Sequence, residues 1–208
     1  PVFMDRESGI VLHHWSRQIG KSFTLAAWAV DRLLTQLQKN DTWLITVLSN
    51  SRDNGAEFNL KCGEICTKMG LLMQSEDLSE DLSYENMRME VRITLRVTTQ
   101  TPGGGTGPTR ERIGRIKVLA ANPRTARGFS GDLILDEFAF HEDSAAIWEA
   151  AEPILSSNPE FLCRIASTGN GKHNMFYRMC AGDGPNNGKP FMSASGFKVS
   201  RVTRTEAW

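Results

Sequence analysis

Four short segments carry residues whose types and spacing could perform phosphate chemistry. The first is Trp15-Ser16-Arg17-Gln18-Ile19-Gly20-Lys21-Ser22. Its last three positions fit the phosphate-binding pattern G-x-x-x-x-G-K-[ST], whereas Trp15 stands where the pattern has its first glycine. Gly20 lets the backbone approach phosphates, and amides at the start of the following helix can point at them. Ser16, Arg17, Gln18 and Ile19 complete that loop. Lys21 would contact the β- and γ-phosphates, and the Ser22 hydroxyl would ligate Mg²⁺. On its own the tripeptide also fits an ordinary helix start with a surface lysine.

The second segment is Leu133-Ile134-Leu135-Asp136-Glu137, an apolar run ending in two acids. Asp136 would hold the Mg²⁺ sphere, usually through water, and Glu137 could accept a proton from the attacking water. Alone, the pair could equally be an exposed acidic turn. Together, in this order and on these elements, the two segments point to nucleotide hydrolysis. The third, Ala166-Ser167-Thr168-Gly169-Asn170-Gly171, ends another apolar run. Alone it is a plain Gly-Asn turn; after the first two, Thr168 falls where ligands gather, at the C-terminal ends of parallel strands. The fourth, Asn122 to Gly128, carries Arg124 and Arg127 just before the acidic strand. One of them could stabilise charge on a transferring phosphoryl group, or simply pair with a surface carboxylate.

The elements that must position these residues follow from periodicity. Ile10–His14 reads as a short strand, followed by a turn from Trp15 to Gly20. Lys21–Lys39 reads as a helix with Leu25, Ala29, Leu33, Leu34 and Leu37 on one face. Thr42–Leu48 is a near-continuous apolar strand of the kind buried in parallel sheets. Ser51–Leu72 reads as a second helix, with Ser51 and Asp53 as cap candidates. Ser75–Glu85 is acidic and reads as a surface loop. Met89, Val91, Ile93, Leu95 and Val97 alternate with polar residues, a half-buried strand. Pro102–Pro108 reads as a mobile Gly-rich loop, and Ile116–Ala121 as a strand pairing back on its predecessor. Ser144–Leu155 is predicted helical, Phe161–Ser167 a strand, Asn174–Cys180 a short helix and Phe191–Val202 strand-like. Strands alternating with helices imply an α/β fold with a mostly parallel central sheet flanked by helices.

Composition narrows the class. The 208 residues suffice for one ample domain or two small ones. Lys plus Arg is 24 and Asp plus Glu is 24, so the net charge of zero argues against a uniformly basic nucleic-acid wrapper while leaving local patches open. Arg110, Arg112, Arg115 and Lys117 form the best candidate patch, or else an ordinary solvated hairpin. No apolar run approaches the roughly 20 residues needed to span a bilayer, and Pro1–Glu7 is too polar for a signal peptide. A start at Pro1 suggests a chain processed or cut from something longer. Cys62, Cys66, Cys163 and Cys180 contain no CxxC pair and read as free buried thiols of a reducing compartment rather than a zinc site.

These residues together resemble the ATPase domain of the terminase large subunit of tailed phages, the DNA-packaging motor. The matching stretches are Ser16–Ser22, Thr125-Ala126-Arg127-Gly128, Leu135–Phe140 and Ser167–Gly171. Ser49 with Ala56-Glu57-Phe58 is similar to the segment after the family's second strand. The resemblance implies a P-loop (ASCE/RecA-like) NTPase that hydrolyses ATP with Mg²⁺. It implies Arg17 reaching the phosphates in cis, Glu137 as the catalytic glutamate, and Arg127 (alternatively Arg124) offered in trans to a neighbour's ATP. Ser167–Gly171 would couple the phosphate state to motion. It further implies a homo-oligomeric ring, expected as a pentamer, docked on the portal protein of a procapsid in the host cytoplasm. That ring would thread double-stranded DNA received through a small terminase subunit, with no membrane involved. The family continues into a ribonuclease-H-like nuclease. The sequence ends at Trp208 with no spare acidic cluster, so residues 1–208 are expected to be the motor domain alone, a fragment without cutting activity. The family's adenine-contacting glutamine lies upstream of the phosphate loop. No glutamine precedes Gln18 here, so either that segment is missing or the base is held otherwise.

Two other readings share the motifs. A helicase-like nucleic-acid-dependent ATPase would need a second RecA-like lobe, for which 208 residues leave no room. A passive nucleotide-binding assembly module would bind without useful turnover.

Overall fold

The computed structural model describes residues 5–75, 82–100, 106–128 and 130–206. Along the chain run β1 (Ile10–Trp15), α1 (Lys21–Leu37), β2 (Thr42–Ser49), α2 (Arg52–Ser75), β3 (Leu82–Met87), β4 (Glu90–Gln100) and β5 (Thr106–Ala120). There follow α3 (Pro123–Ala126), β6 (Asp132–Asp136), α4 (Ser144–Ser156), β7 (Cys163–Ser167), α5 (Met175–Cys180), β8 (Phe191–Met192) and β9 (Lys198–Val202). The described strands form one nine-stranded sheet in the order β3-β4-β5-β2-β6-β7-β1-β9-β8. The stretch from β5 to β9 is parallel, and an antiparallel hairpin lies at each flank.

Both faces of the central strands are buried, which explains their continuous apolar runs. On β2, Ile45 and Val47 pack with Leu25, Ala29 and Leu33 of α1 and Phe58 of α2. Leu48 points to the other face, into a cluster with Leu135, Ile165, and Ile147 and Trp148 of α4. Adjacent residues of β6 divide the same way: Ile134 joins the first cluster, and Leu133 and Leu135 the second. Gly114 of β5 is required by this packing, because a Cβ there would sit 2.7 Å from Leu33 Cγ of α1.

Several boundaries differ from the sequence expectation. The loop expected over Ser75–Glu85 is instead helix at Ser75 and strand from Leu82 onward; residues 76–81 lie outside the described residues. Strand β3 escapes periodicity because it is an edge strand exposed on both faces, with no apolar alternation to read. Its anchors are polar: Asn59 Nδ2 of α2 donates to Asn86 Oδ1 (3.0 Å) and to the Met87 carbonyl (2.6 Å). Of the Gly-rich loop, Thr106–Pro108 already belongs to β5, and 101–105 fall outside the described residues. Phe191–Val202 is two strands folded back on each other, because Gly196 at φ +80 turns the chain between them. Helix α1 ends at Leu37, where Arg112 of β5 donates to the carbonyls of Leu37 (2.9 Å) and Gln38 (2.6 Å). All four cysteines are buried free thiols. No helix among the described residues is long and apolar enough to cross a membrane.

The N-terminal edge of the parallel strands is fastened by buried ionic groups. Asp132, at the start of β6, accepts from Arg32 Nε (2.8 Å), Trp43 Nε1 (2.8 Å) and the Leu162 amide (2.7 Å). Arg164 of β7 is fully buried beneath Trp28, and donates to the carbonyls of Asp5 (2.8 Å), Ser8 (3.0 Å) and Cys163 (2.9 Å). Removing one partner of such a network leaves buried donors unpaired. Asp132→Ala is therefore expected to destabilise the chain by about 3–5 kcal/mol, read as a lower urea midpoint, with Asp132→Asn losing less.

Candidate active site

The C-terminal edge of the same strands is built differently. After β1 the chain must turn sharply to start α1, and it does so through two left-handed residues, Gln18 (φ 62) and Gly20 (φ 82). Gly20 adopts this conformation without strain, whereas Gln18 does so at a cost. The turn delivers Lys21 as the first residue of α1. Its side chain is almost entirely buried and folds back, with Nζ donating to the Ser16 carbonyl (3.3 Å) and lying 3.4 Å from Glu137 Oε1.

Glu137 arrives from the end of β6, also left-handed (φ 50), and caps a 3₁₀ turn over Phe138–Phe140. Its second oxygen, Oε2, accepts from the Ser167 hydroxyl and the Thr168 amide, both at 3.3 Å. Ser167 Oγ in turn accepts from the Ala139 amide (3.1 Å), and Asn170 Nδ2 donates to the Ala139 carbonyl (3.0 Å). These contacts follow from strand order: β7 lies between β6 and β1, so Ser167 and Thr168 stand between the phosphate loop and the acids.

An open cleft of about 420 Å³ runs over this junction. Of the residues singled out from sequence, Arg17, Gln18, Gly20, Lys21, Ser22, Glu137 and Thr168 line it. Arg17 is exposed, with its guanidinium 5.9 Å from the centre of the Phe140 ring. Ser16 contributes its carbonyl to Lys21 rather than lining the cleft, and Ile19 is half-buried in the loop.

Asp136 is buried and does not itself line the cleft. Its Oδ1 has no partner, and neither has the hydroxyl of Ser49, its register partner on β2. Burial, and then the neighbouring Glu137 charge, push the Asp136 carboxyl up to about 6, against the pull of Lys21 and Lys61. An orphaned buried carboxylate oxygen and the Ser22 hydroxyl at the cleft are the hard oxygen donors that Mg²⁺ takes, with waters completing its sphere. The residues present therefore fit that ion.

The two arginines of the fourth segment do not join the site. Both are exposed; Arg127 ends α3 and lies beside Ser130, Glu149 and Pro153, away from the cleft. Other lining residues were not singled out from sequence: Asn50, Asn54 and Lys61 from the β2–α2 side, with Phe23; Phe140, which ends the stretch Leu135–Phe140, lines it too. The available signal was position. Asn50 directly follows β2, at the strand edge where ligands gather, and Asn54 and Lys61 are seven residues apart, about two helical turns.

Known proteins share this architecture. The ATPase domain of the large terminase of Thermus phage P74-26 superposes with a TM-score of 0.66 at 20% identity, covering 97% of this chain and 78% of that one. A second large terminase, from a thermophilic bacteriophage, superposes at 0.54 and 10% identity, covering 85% of this chain and 37% of that one. At these identities the likeness concerns the fold alone, a mostly parallel sheet flanked by helices. A curated relative, the Mu-like prophage FluMu protein gp28 of Haemophilus influenzae, is 37% identical over 65 residues, 31% of this chain and 12% of that protein. Residues 14–207 match the family described as terminase large subunit, T4likevirus-type, N-terminal. That match takes in the phosphate loop, the paired acids and the Ser167–Thr168 strand end, and the chain belongs to this family of terminase large subunits.

Proposed function

We propose that this chain is an ATP-hydrolysing motor domain that drives double-stranded DNA into a viral procapsid. The observation that carries the reading is the meeting of Lys21, Glu137 and Thr168, far apart in sequence, at one cleft. Backbone amides at the start of α1 and the Lys21 ammonium would bind the β- and γ-phosphates. Arg17, on the same wall, would add a second cation in cis. Glu137 would orient the attacking water and take its proton, held for that task by Ser167 and Thr168. A Mg²⁺ ion held by Ser22 and, through water, Asp136 would neutralise charge on the phosphates. Reaching the nucleotide requires Lys21 and Glu137 to give up their mutual ion pair, so substrate binding itself would release the base.

Arg127 is exposed and remote from its own cleft, as an arginine serving a neighbouring subunit's site would be. A ring of copies, expected as a pentamer on the portal protein and supplied with DNA by a small terminase subunit, would complete each site. In this reading residues 1–208 act as the motor, transiently docked on the procapsid in the host cytoplasm. For DNA, support comes from a groove of about 860 Å³ at β2, β4 and β5, lined by Arg92, Arg115 and Lys117 with Trp43 and Phe161. Arg112 faces a structural duty instead, beside Asp41 (3.5 Å) and the end of α1. Basic side chains there would track the phosphate backbone without reading sequence.

Lys21→Ala is expected to abolish nucleotide binding and turnover. Glu137→Gln should keep nucleotide affinity while turnover falls about 10²–10⁴-fold; a folded Glu137→Gln protein with normal turnover would overturn the assignment. Steady-state ATPase should rise cooperatively with protein concentration, and Arg127→Ala should lose that rise, by about 10³-fold or more, without losing nucleotide affinity. Arg115→Ala should weaken binding to any duplex alike and lower the salt slope of DNA affinity by about one unit, measured by titration across NaCl concentrations.

A further inference from the structure

The cleft has a cation that the phosphate loop does not supply. Lys61 comes from α2, and with Asn54 it lines the cleft from the β2 side. Strand β2 lies beyond β6 as seen from β1, so this wall approaches Glu137 from the side away from the phosphate loop. Asn54 Nδ2 donates to Asn50 Oδ1 (2.8 Å), which braces the first turn of the wall. The other two cleft cations are already engaged in the loop region: Lys21 with Ser16 and Glu137, and Arg17 over Phe140.

Lys61 forms an ion pair within its own helix. Its Nζ lies 2.6 Å from Glu57 Oε1, one turn earlier, with the glutamate side chain two-thirds exposed and the lysine one-quarter exposed. An i,i+4 pair of this kind is weak, too weak to keep the ammonium from a more highly charged anion. A nucleotide whose β-phosphate rests on the loop amides must extend its terminal phosphoryl group towards Glu137, the group that addresses the attacking water. Lys61 lines the same cleft and acts electrostatically on Asp136, the residue before Glu137, so it stands on that side of the site.

We infer that Lys61 is a further ligand for the terminal phosphoryl group, exchanging Glu57 for phosphate oxygens when the cleft fills. The inference rests on the nucleotide reading above. The chemistry is shared by the γ-phosphate of bound ATP and by the inorganic phosphate left after cleavage. A diphosphate does not reach the lysine, so Lys61 discriminates ATP from ADP, whereas Lys21 serves both.

Equilibrium titration of the 208-residue chain tests this with ADP, a non-hydrolysable ATP analogue, and inorganic phosphate added to the ADP complex. Lys61→Met is expected to weaken the analogue about tenfold and to leave ADP within twofold, with Lys61→Arg restoring most of the loss. Loss for the analogue alone assigns the lysine to the bound triphosphate. Loss for both the analogue and added phosphate assigns it to the phosphoryl group before and after cleavage. Unchanged analogue binding, or equal loss for analogue and ADP, overturns the inference. If Lys61→Met does not fold, Glu57→Gln carries the test: freeing the lysine should tighten the analogue about threefold with ADP unchanged, and no tightening overturns the inference. Lys21→Ala serves as the separate control. If it leaves both nucleotides bound as before, the nucleotide reading itself fails, whatever Lys61 does.

Discussion

The site depends on holding a lysine and a glutamate against each other at the rim of a packed sheet. Lys21 is almost wholly buried, and burying an ammonium is costly unless it is paired. Glu137 and the Ser16 carbonyl supply that pairing, and Ser167 and Thr168 hold the glutamate's other oxygen. The arrangement is possible only because β7 separates β6 from β1. Were the acidic strand hydrogen-bonded directly to β1, the Ser167–Thr168 strand end could not stand between lysine and acid.

Backbone strain gathers at the same place. Among the described residues the non-glycine residues with positive φ are Gln18 and Glu137, one in the phosphate loop and one at the end of the acidic strand. Each is an unfavourable conformation for an L-residue, and each aims a side chain or a turn into the cleft. The 3₁₀ turn that Glu137 opens is tied to the neighbouring strand end by Ser167 and Asn170, through the amide and carbonyl of Ala139. The Ser167–Asn170 segment is thus hydrogen-bonded both to Glu137 and to the turn that it opens, the contacts that would link phosphate chemistry to motion under the proposed function.

The two edges of the sheet divide the work. At the N-terminal edge Asp132 and Arg164 are buried and heavily hydrogen-bonded, fixing the strand starts and the leader from Asp5 to Gly9. At the C-terminal edge polar atoms are left without partners: Asp136 Oδ1, the Ser49 hydroxyl and the Thr168 hydroxyl. Unsatisfied buried groups are uncommon in folded proteins. Arg164 Nε at the N-terminal edge is another, so the difference between the edges is one of degree.

The sequence by itself determined most of the elements and which polar residues stand at their ends. Apolar runs such as Leu44–Leu48 and Leu133–Leu135 had to be strands buried on both faces, and Gly20-Lys21-Ser22 had to open a helix, because these features depend on neighbours within one turn or one strand. It could not determine which ends would meet. That Lys21 touches Glu137, that Lys61 and Asn54 reach the same cleft, that Arg127 turns away from it and that Arg112 covers the end of α1 all depend on strand order and helix packing. Those are set by burial summed over the whole sheet rather than by local spacing. Edge strand β3 was illegible for the same reason in reverse: exposed on both faces, it carries no hydrophobic period, and only pairing with β4 makes it a strand.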